Sequence, residues 1–146
     1  MDCVTLRSAT PEDSEFTYAV KKAAFREYVE KVWGWDEDEQ RGLHERRFRS
    51  NEYRVIRFDG VDVGILSATE SPECVTLNQL YILPEHQGRG IGRECVSVVT
   101  EEARSSGLPV HIRVLRVNPR AIAFYERSGF RRVGETDSHV LMACGD

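Results

Sequence analysis

The sequence predicts an α/β fold: a mixed, largely antiparallel sheet of about seven strands with four helices. Three observations predict it. Seven short segments alternate apolar and polar residues, or run continuously apolar, as strands do. Four others carry helical apolar spacing or the start and stop signals of helices. In mid-chain, Asp59-Gly60 between two alternating segments marks a tight hairpin, which makes that part of the sheet antiparallel.

Cys3 to Arg7 alternates as a half-buried strand does. Thr10-Pro11-Glu12-Asp13 then offers a helix cap, a proline at the first helical position and an acidic first turn. Phe16, Val20, Ala23, Ala24 and Tyr28 recur at i, i+4, i+7, i+8 and i+12 and line one face of a helix to about Lys31. Trp33-Gly34-Trp35 breaks it. A second helix is predicted from Asp36 to about Arg49, with Asp36 as cap and acids in a first turn where the helix dipole favours negative charge. Tyr53 to Phe58, Val61 to Thr69 and Val75 to Leu83 form the meander, ending at Pro84.

After the stretch Gln87 to Gly92, an amphipathic helix presents Ile91, Cys95, Val98 and Val99 on one face and stops near Gly107. A buried strand, Val110 to Val117, leads to Asn118-Pro119 and a helix of about ten residues to Ser128, with Gly129 as its stop. Strands near Phe130 to Glu135 and His139 to Cys144 close the chain. No repeat, low-complexity tract or linker interrupts these elements, so one domain over 1–146 is expected.

Composition bounds the function. At 146 residues, the chain buries one core and roughly two-thirds of its unfolded surface. Its 40% hydrophobic and 30% charged residues suit a water-soluble domain, and no apolar run approaches the ~20 residues of a membrane helix. Met1 to Thr10 has no apolar signal region, so a cytoplasmic location is expected. A net charge of −4, with no basic block beyond Arg46, Arg47 and Arg49, argues against nucleic acid as a partner. Cys3, Cys74, Cys95 and Cys144 are widely spaced with no ligand-like histidine, so no metal site or redox pair is expected.

Gln87-Gly88-Arg89-Gly90-Ile91-Gly92 lies between a strand and a helix. Backbone N–H groups and the positive helix end converge there on one anion, and glycines let a phosphate approach closely. Two familiar loops do not fit. The Walker loop needs Lys then Ser or Thr after its last glycine, where this chain has Arg93-Glu94. The dinucleotide fingerprint needs glycine three positions after Gly90, where Arg93 stands.

Leu80 through Gly92 instead resembles the acetyl-CoA-binding motif of the GNAT N-acetyltransferase superfamily. Asn118-Pro119-Arg120-Ala121-Ile122-Ala123-Phe124-Tyr125-Glu126-Arg127-Ser128-Gly129-Phe130 resembles that superfamily's second block, in the right order and spacing. Trp33-Gly34-Trp35-Asp36 is similar to a segment in one group of uncharacterised bacterial members. The resemblance implies a GNAT fold whose sheet splays at the acyl-CoA site. It implies acetyl-CoA as acyl donor and direct transfer to an amine of a small molecule or peptide, with neither metal nor covalent enzyme intermediate. It also allows a homodimer. The alternative is a module of the same fold that senses acyl-CoA, or joins a complex, without turnover.

The site residues follow from the same resemblance. Main-chain groups of Gln87, Gly88, Arg89, Gly90, Ile91 and Gly92 would cradle the CoA pyrophosphate, while Arg89, Arg93 and Arg120 either meet its phosphates or remain solvated charges. Tyr81 and Ile82 would hold the pantetheine arm, with a backbone donor near Ile82 as oxyanion site. Asn118 caps its helix in any protein and would also reach the pantetheine. Tyr125, seven residues on along the same helix face, is either core or the general acid for the departing thiolate, protonated at neutral pH with an ordinary pKa of about 10. Phe124 and Phe130 are expected in the core.

Several family members carry a glutamate on the strand before the loop, but Asn78 and Gln79 stand there; Glu27, Glu70 and His111 are each either a base or a surface or structural residue, with bulk solvent as the other route for the amine proton. Tyr28, Trp33 and Trp35 border the break between the first two helices, followed by Asp36, Glu37, Asp38 and Glu39. They form either a wall for a cationic or aromatic acceptor or simple helix packing.

Overall fold

Asp59 and Gly60 adopt φ of 51° and 83°, the left-handed pair that a two-residue hairpin turn requires. They join β2 (Tyr53–Phe58) to β3 (Val61–Glu70), and β4 (Val75–Ile82) completes the meander. The computed structural model describes residues 3–50 and 52–145; Met1 and Asp2, at the start of the segment read for a signal sequence, lie outside them. The remaining elements are β1 (Val4–Ser8), α1 (Ser14–Val32), α2 (Glu37–Ser50), α3 (Ile91–Ser105), β5 (Val110–Leu115), α4 (Pro119–Arg127), β6 (Arg131–Glu135) and β7 (His139–Cys144). The strands form a single sheet in the order β1-β2-β3-β4-β5-β7-β6.

All neighbouring strands run antiparallel except β4 and β5, which are parallel and joined through α3. Their ladder holds only Val75 opposite Val110 and Thr76 opposite His111. From Leu77 onward the two strands part. This is the splay that the family resemblance implied, and it opens the middle of the sheet between its two halves.

A larger apolar cluster joins the sheet to Ile91, Cys95, Val96, Val99 and Ala103 of α3 and to Ile122 and Tyr125 of α4. A smaller one joins Tyr53 and Ile65 to Val20 of α1, with Phe16, Phe48, Tyr81 and Leu83 against it. A bulge in the β3–β4 ladder skips Asn78, so Ser67 faces Gln79 and Ala68 faces Leu77. It puts Leu77, Leu80 and Ile82 with the larger cluster and Tyr81 with the smaller.

Three sequence expectations are corrected, the first on α3, where Val98 is exposed and Val96 is buried with Ile91, Cys95 and Val99. The Thr10-Pro11 start opens a short 3-10 turn, Pro11–Asp13, and α1 begins one residue later. The cause is Asp13, whose carboxylate takes the Thr10 N–H at 2.8 Å and both ends of the Arg7 guanidinium at 2.9 Å. Arg7 holds that carboxyl down at about 2. The inward face of α1 is also rotated: Ala23 is exposed, whereas Thr17, Tyr18, Lys21 and Val29 are buried with Val20. Helix α1 is covered by α2 as well as by β3 and β4, so its buried stripe is wider than the apolar spacing and includes polar residues.

Candidate functional site

Strand β4 delivers its end into the opening. Leu83 N–H donates to the Val63 carbonyl at 2.9 Å, and antiparallel alternation then makes Gly64–Ile82 the adjacent, non-bonded pair. The Ile82 N–H and carbonyl therefore point away from β3, toward the gap beside β5. Gln87 Nε2 donates to that carbonyl at 2.9 Å, tying the start of the glycine loop to the end of the strand. The Ile82 N–H is left facing the gap.

Gly88 and Gly90 carry φ of 79° and 81°, and nothing lies within 4 Å of where a Cβ would stand on either. Gly90 caps α3, whose first internal bond runs from Glu94 N–H to the Gly90 carbonyl at 3.1 Å. Ile91, Gly92 and Arg93 thus present N–H groups that the helix does not use. Ile91 is buried and anchors this first turn.

Helix α4 faces the loop from the other half of the sheet. Asn118 Oδ1 accepts the Ala121 N–H at 3.1 Å, and Pro119 is the first helical residue. Tyr125 is 7% exposed, edge-on to Phe124 at 5.0 Å and to Phe130 at 5.5 Å between ring centroids. Burial raises its phenol above the ordinary value of 10. Phe130 is core as expected, but Phe124 is only half-buried and lines the opening.

A cleft of about 1410 Å³ runs through this opening. Of the residues singled out in the sequence it gathers Tyr28, Trp33, Tyr81, Ile82, Gln87, Gly88, Gly90, Ile91, Gly92, Arg93, Asn118, Arg120 and Tyr125. Arg89 and Trp35 lie outside its lining. Arg89 is exposed on the loop. Trp35 donates Nε1 to Glu37 at 3.1 Å and lies under the Arg26 guanidinium, 5.6 Å from its ring centre. Trp33, by contrast, is 62% exposed at the cleft rim, 6.2 Å from the His139 ring.

Of the four acids after the tryptophans, Asp36 and Glu37 are engaged. Asp36 Oδ1 caps α2 through the Glu39 N–H at 2.9 Å. Glu37 accepts from Tyr18 at 2.9 Å and pairs with Lys22 at 2.7 Å, and with Trp35 these partners hold its carboxyl at about 2. Among the base candidates Glu27 reaches the cleft, but Glu70 and His111 do not line it. Cys95 is fully buried and its thiol is pushed up to about 12, which makes it inert as a nucleophile. Lining charges are mostly positive: Lys21, Arg47, Arg93, Arg113, Arg120 and Arg127 against Glu27 and Glu39.

Sequence reasoning missed the polar group beneath α1 and α2. Thr17 Oγ1 and His44 Nε2 are 2.8 Å apart, and Lys21, His44, Ser67 and Gln79 are all buried. Burial, with Lys21 and Arg47 nearby, pushes His44 down to about 4, so it stays neutral. No sequence signal marks these residues, because Lys and His read as surface unless the docking of α2 is known.

The acetyltransferase (GNAT) family model matches residues 15–130. The chain belongs to the GNAT family. It is 23% identical over 141 residues to the uncharacterised N-acetyltransferase YobR of Bacillus subtilis, covering 91% of this chain and 57% of that one. It is 30% identical over 103 residues to the uncharacterised N-acetyltransferase YjgM of Escherichia coli, covering 62% and 61%. The chain thus spans about three-fifths of the length of these curated relatives. The fold matches the PaiA N-acetyltransferase of Thermoplasma acidophilum, a complex with coenzyme A, at a TM-score of 0.79, with 17% identity and 99% of each chain covered. It matches the ribosomal-protein-S18-alanine N-acetyltransferase of E. coli at 0.74, with 19% identity and coverage of 97% and 93%. Among the described residues no GNAT helix here is long and apolar enough to cross a membrane.

Proposed function

We propose that this GNAT chain is an acetyl-CoA-dependent N-acetyltransferase acting on an amine of a small molecule or peptide. The observation that carries the reading is the parting of β4 from β5 after two residue pairs, where the glycine loop, the start of α3 and α4 converge. The open space over Gly88 and Gly90 and the unused N–H groups at the start of α3 suit a pyrophosphate. Arg93 and Arg120 add positive charge within the same cleft.

When bound, acetyl-CoA supplies a thioester whose acetyl group is open to attack by an amine. The Ile82 N–H, turned into the gap, serves as the donor that stabilises charge developing on a carbonyl oxygen there. Tyr125 keeps its proton at neutral pH because burial raises its phenol. An ordinary thiol, near 8.5, is the stronger acid, so Tyr125 acts on a departing sulfur mainly as a hydrogen-bond donor. Of the candidate bases Glu27 lines the cleft, and it would receive the amine proton, directly or through water.

Calorimetric titration with acetyl-CoA, followed by thiol release with primary amines, tests the reading. Saturable binding and amine-dependent release are expected. Binding without release by any amine would mean a sensor, and no binding to the folded protein would remove the proposed function altogether.

A further inference from the structure

The cleft has a second end, between α1, α2 and β4, whose chemistry the transfer reaction does not use. Lys21 lies there on α1, 2% exposed, and it lines the cleft together with Gln79 of β4 and with Arg47 of α2, which is exposed to solvent. Most other lysines and arginines in this half of the molecule are answered by an acid: Arg7 by Asp13 and Asp62, Lys22 by Glu37, Arg26 by Glu30, Arg41 by Glu15. Neither Lys21 nor Arg47 has a carboxylate within ion-pair distance among the described residues.

The groups around Lys21 supply no counter-charge. The neighbouring helix brings His44, held neutral, and Arg47, a second cation. The sheet brings a row of polar residues at one level, Tyr53 opposite Ser67 and Ser67 opposite Gln79. Tyr53 Oη, Ser67 Oγ, Gln79 Oε1 and His44 Nδ1 are buried without a hydrogen-bond partner among the described residues. Gln79 is 6% exposed and opens on the cleft. Burial, and then Arg47, lower the Lys21 ammonium to about 8, which still leaves it charged at neutral pH. Lys21 is thus a buried cation with no ion-pair partner among the described residues, an arrangement that is costly unless an anion completes it.

We infer that this end of the cleft is a carboxylate pocket: Lys21, with Arg47 and the Gln79 amide, binds the carboxylate of a small amine acceptor, so the substrates are amino-acid-like rather than polyamines. The inference rests on the N-acetyltransferase reading above. Gln79 and Ile82 are three residues apart on β4, about 10 Å along the strand. A carboxylate held at Lys21 therefore leaves room for several bonds before an amine reaches the Ile82 N–H. The charge balance of the lining points the same way, since only Glu27 and Glu39 are available there to receive a polycation.

The test pairs acceptors that differ in the carboxylate alone. The protein amino acids, β-alanine, 4-aminobutyrate and short dipeptides are each assayed by thiol release beside the corresponding decarboxylated amine or C-terminal amide. The expected result is a preference for carboxylate over its partner of about tenfold or more in kcat/KM. In Lys21→Met that preference collapses through a raised KM, while acetyl-CoA affinity by calorimetry is unchanged. α-Amino acids outperforming 4-aminobutyrate and the dipeptides would contradict the spacing between Gln79 and Ile82 and overturn the pocket.

Equal or better use of carboxylate-free amines, or a preference that survives Lys21→Met, would overturn the pocket. If no acceptor turns over, the melting temperature of the CoA-saturated protein is read against the same carboxylates. A rise that Lys21→Met abolishes supports the pocket, and no rise overturns it. Failure to bind acetyl-CoA at all sinks the parent reading, whereas acetyl-CoA binding without carboxylate dependence sinks this inference alone.

Discussion

The two ends of the cleft are built from different materials. At the glycine-loop end the main chain presents itself: Gly88 and Gly90 in left-handed conformations, the free N–H groups of the α3 start, and the Ile82 N–H turned from its neighbour strand. At the α1/α2 end side chains line the cleft, Lys21 and Gln79 among them, with His44 and Ser67 buried beneath, on elements far apart in sequence. A main-chain site is specified by a few residues in a short run, because backbone geometry is local. A side-chain site is specified by which helix docks on which strand, and no short run records that.

The largest expected effect breaks the main-chain end. Gly90→Glu places a side chain where φ is 81° and a carboxylate at the start of α3. Backbone strain and like charge together should cost about a thousandfold in acetyl-CoA affinity by calorimetry. Wild-type affinity in that variant would mean that the loop holds no pyrophosphate.

At the other end the expected change has the opposite sign. Lys21→Met removes a buried, unpaired cation and should stabilise the free protein by about 2 kcal/mol near pH 7, read by urea unfolding. The Lys21 ammonium falls from 10.5 to about 8 on folding, so the unfolded chain holds a proton between those values that the folded chain has lost. The penalty is complete below pH 8 and fades toward pH 10.5, and the advantage of the variant should shrink over that window. A gain that did not change with pH would assign the effect to packing instead of charge. A stabilising change that harms acceptor use is the trade-off expected of a functional site.

Legibility followed the same division. The Asp59-Gly60 turn, the run Gln87 to Gly92 and the Asn118-Pro119 helix start were readable because each depends on residues adjacent in the chain. The splay was reached through family resemblance, since nothing in Leu77 to Ile82 itself says that β5 leaves. Lys21 and His44 were unreadable: α2 packs on α1 with His44 as its buried residue, Leu43 and Phe48 being only half-buried. Trp35 and Glu37 suit either an acceptor wall or helix packing in the sequence, and in the fold Glu37 joins Trp35, Tyr18 and Lys22 by hydrogen bond and ion pair. Residue type at the helix break could not separate those outcomes, because both use aromatics beside acids.

Tyr125 stands between the two kinds of site, since its side chain is both core and cleft lining. Tyr125→Phe keeps the ring contacts with Phe124 and Phe130 and removes only the hydroxyl. With the phenol acting as a hydrogen-bond donor, kcat should fall about tenfold with acetyl-CoA affinity preserved. An unchanged kcat across pH would make the ring core alone.

Asn118 gives the smallest effect and the sharpest test of whether local structure and binding share one residue. Its Oδ1 already accepts the Ala121 N–H at 3.1 Å, so capping alone explains the asparagine. Asn118→Ala should cost about 1 kcal/mol of stability through the lost cap, while Asn118→Asp should keep the cap and most of that stability. The Asn side chain also offers an Nδ2 donor that Asp lacks, and it lies on the cleft. If Asn118→Asp remains as stable as the parent yet binds acetyl-CoA more weakly, the donor is used on the cofactor and the motif records binding. If both stability and affinity survive in Asn118→Asp, this part of the motif records only how α4 begins, and the cofactor is held from the α3 side.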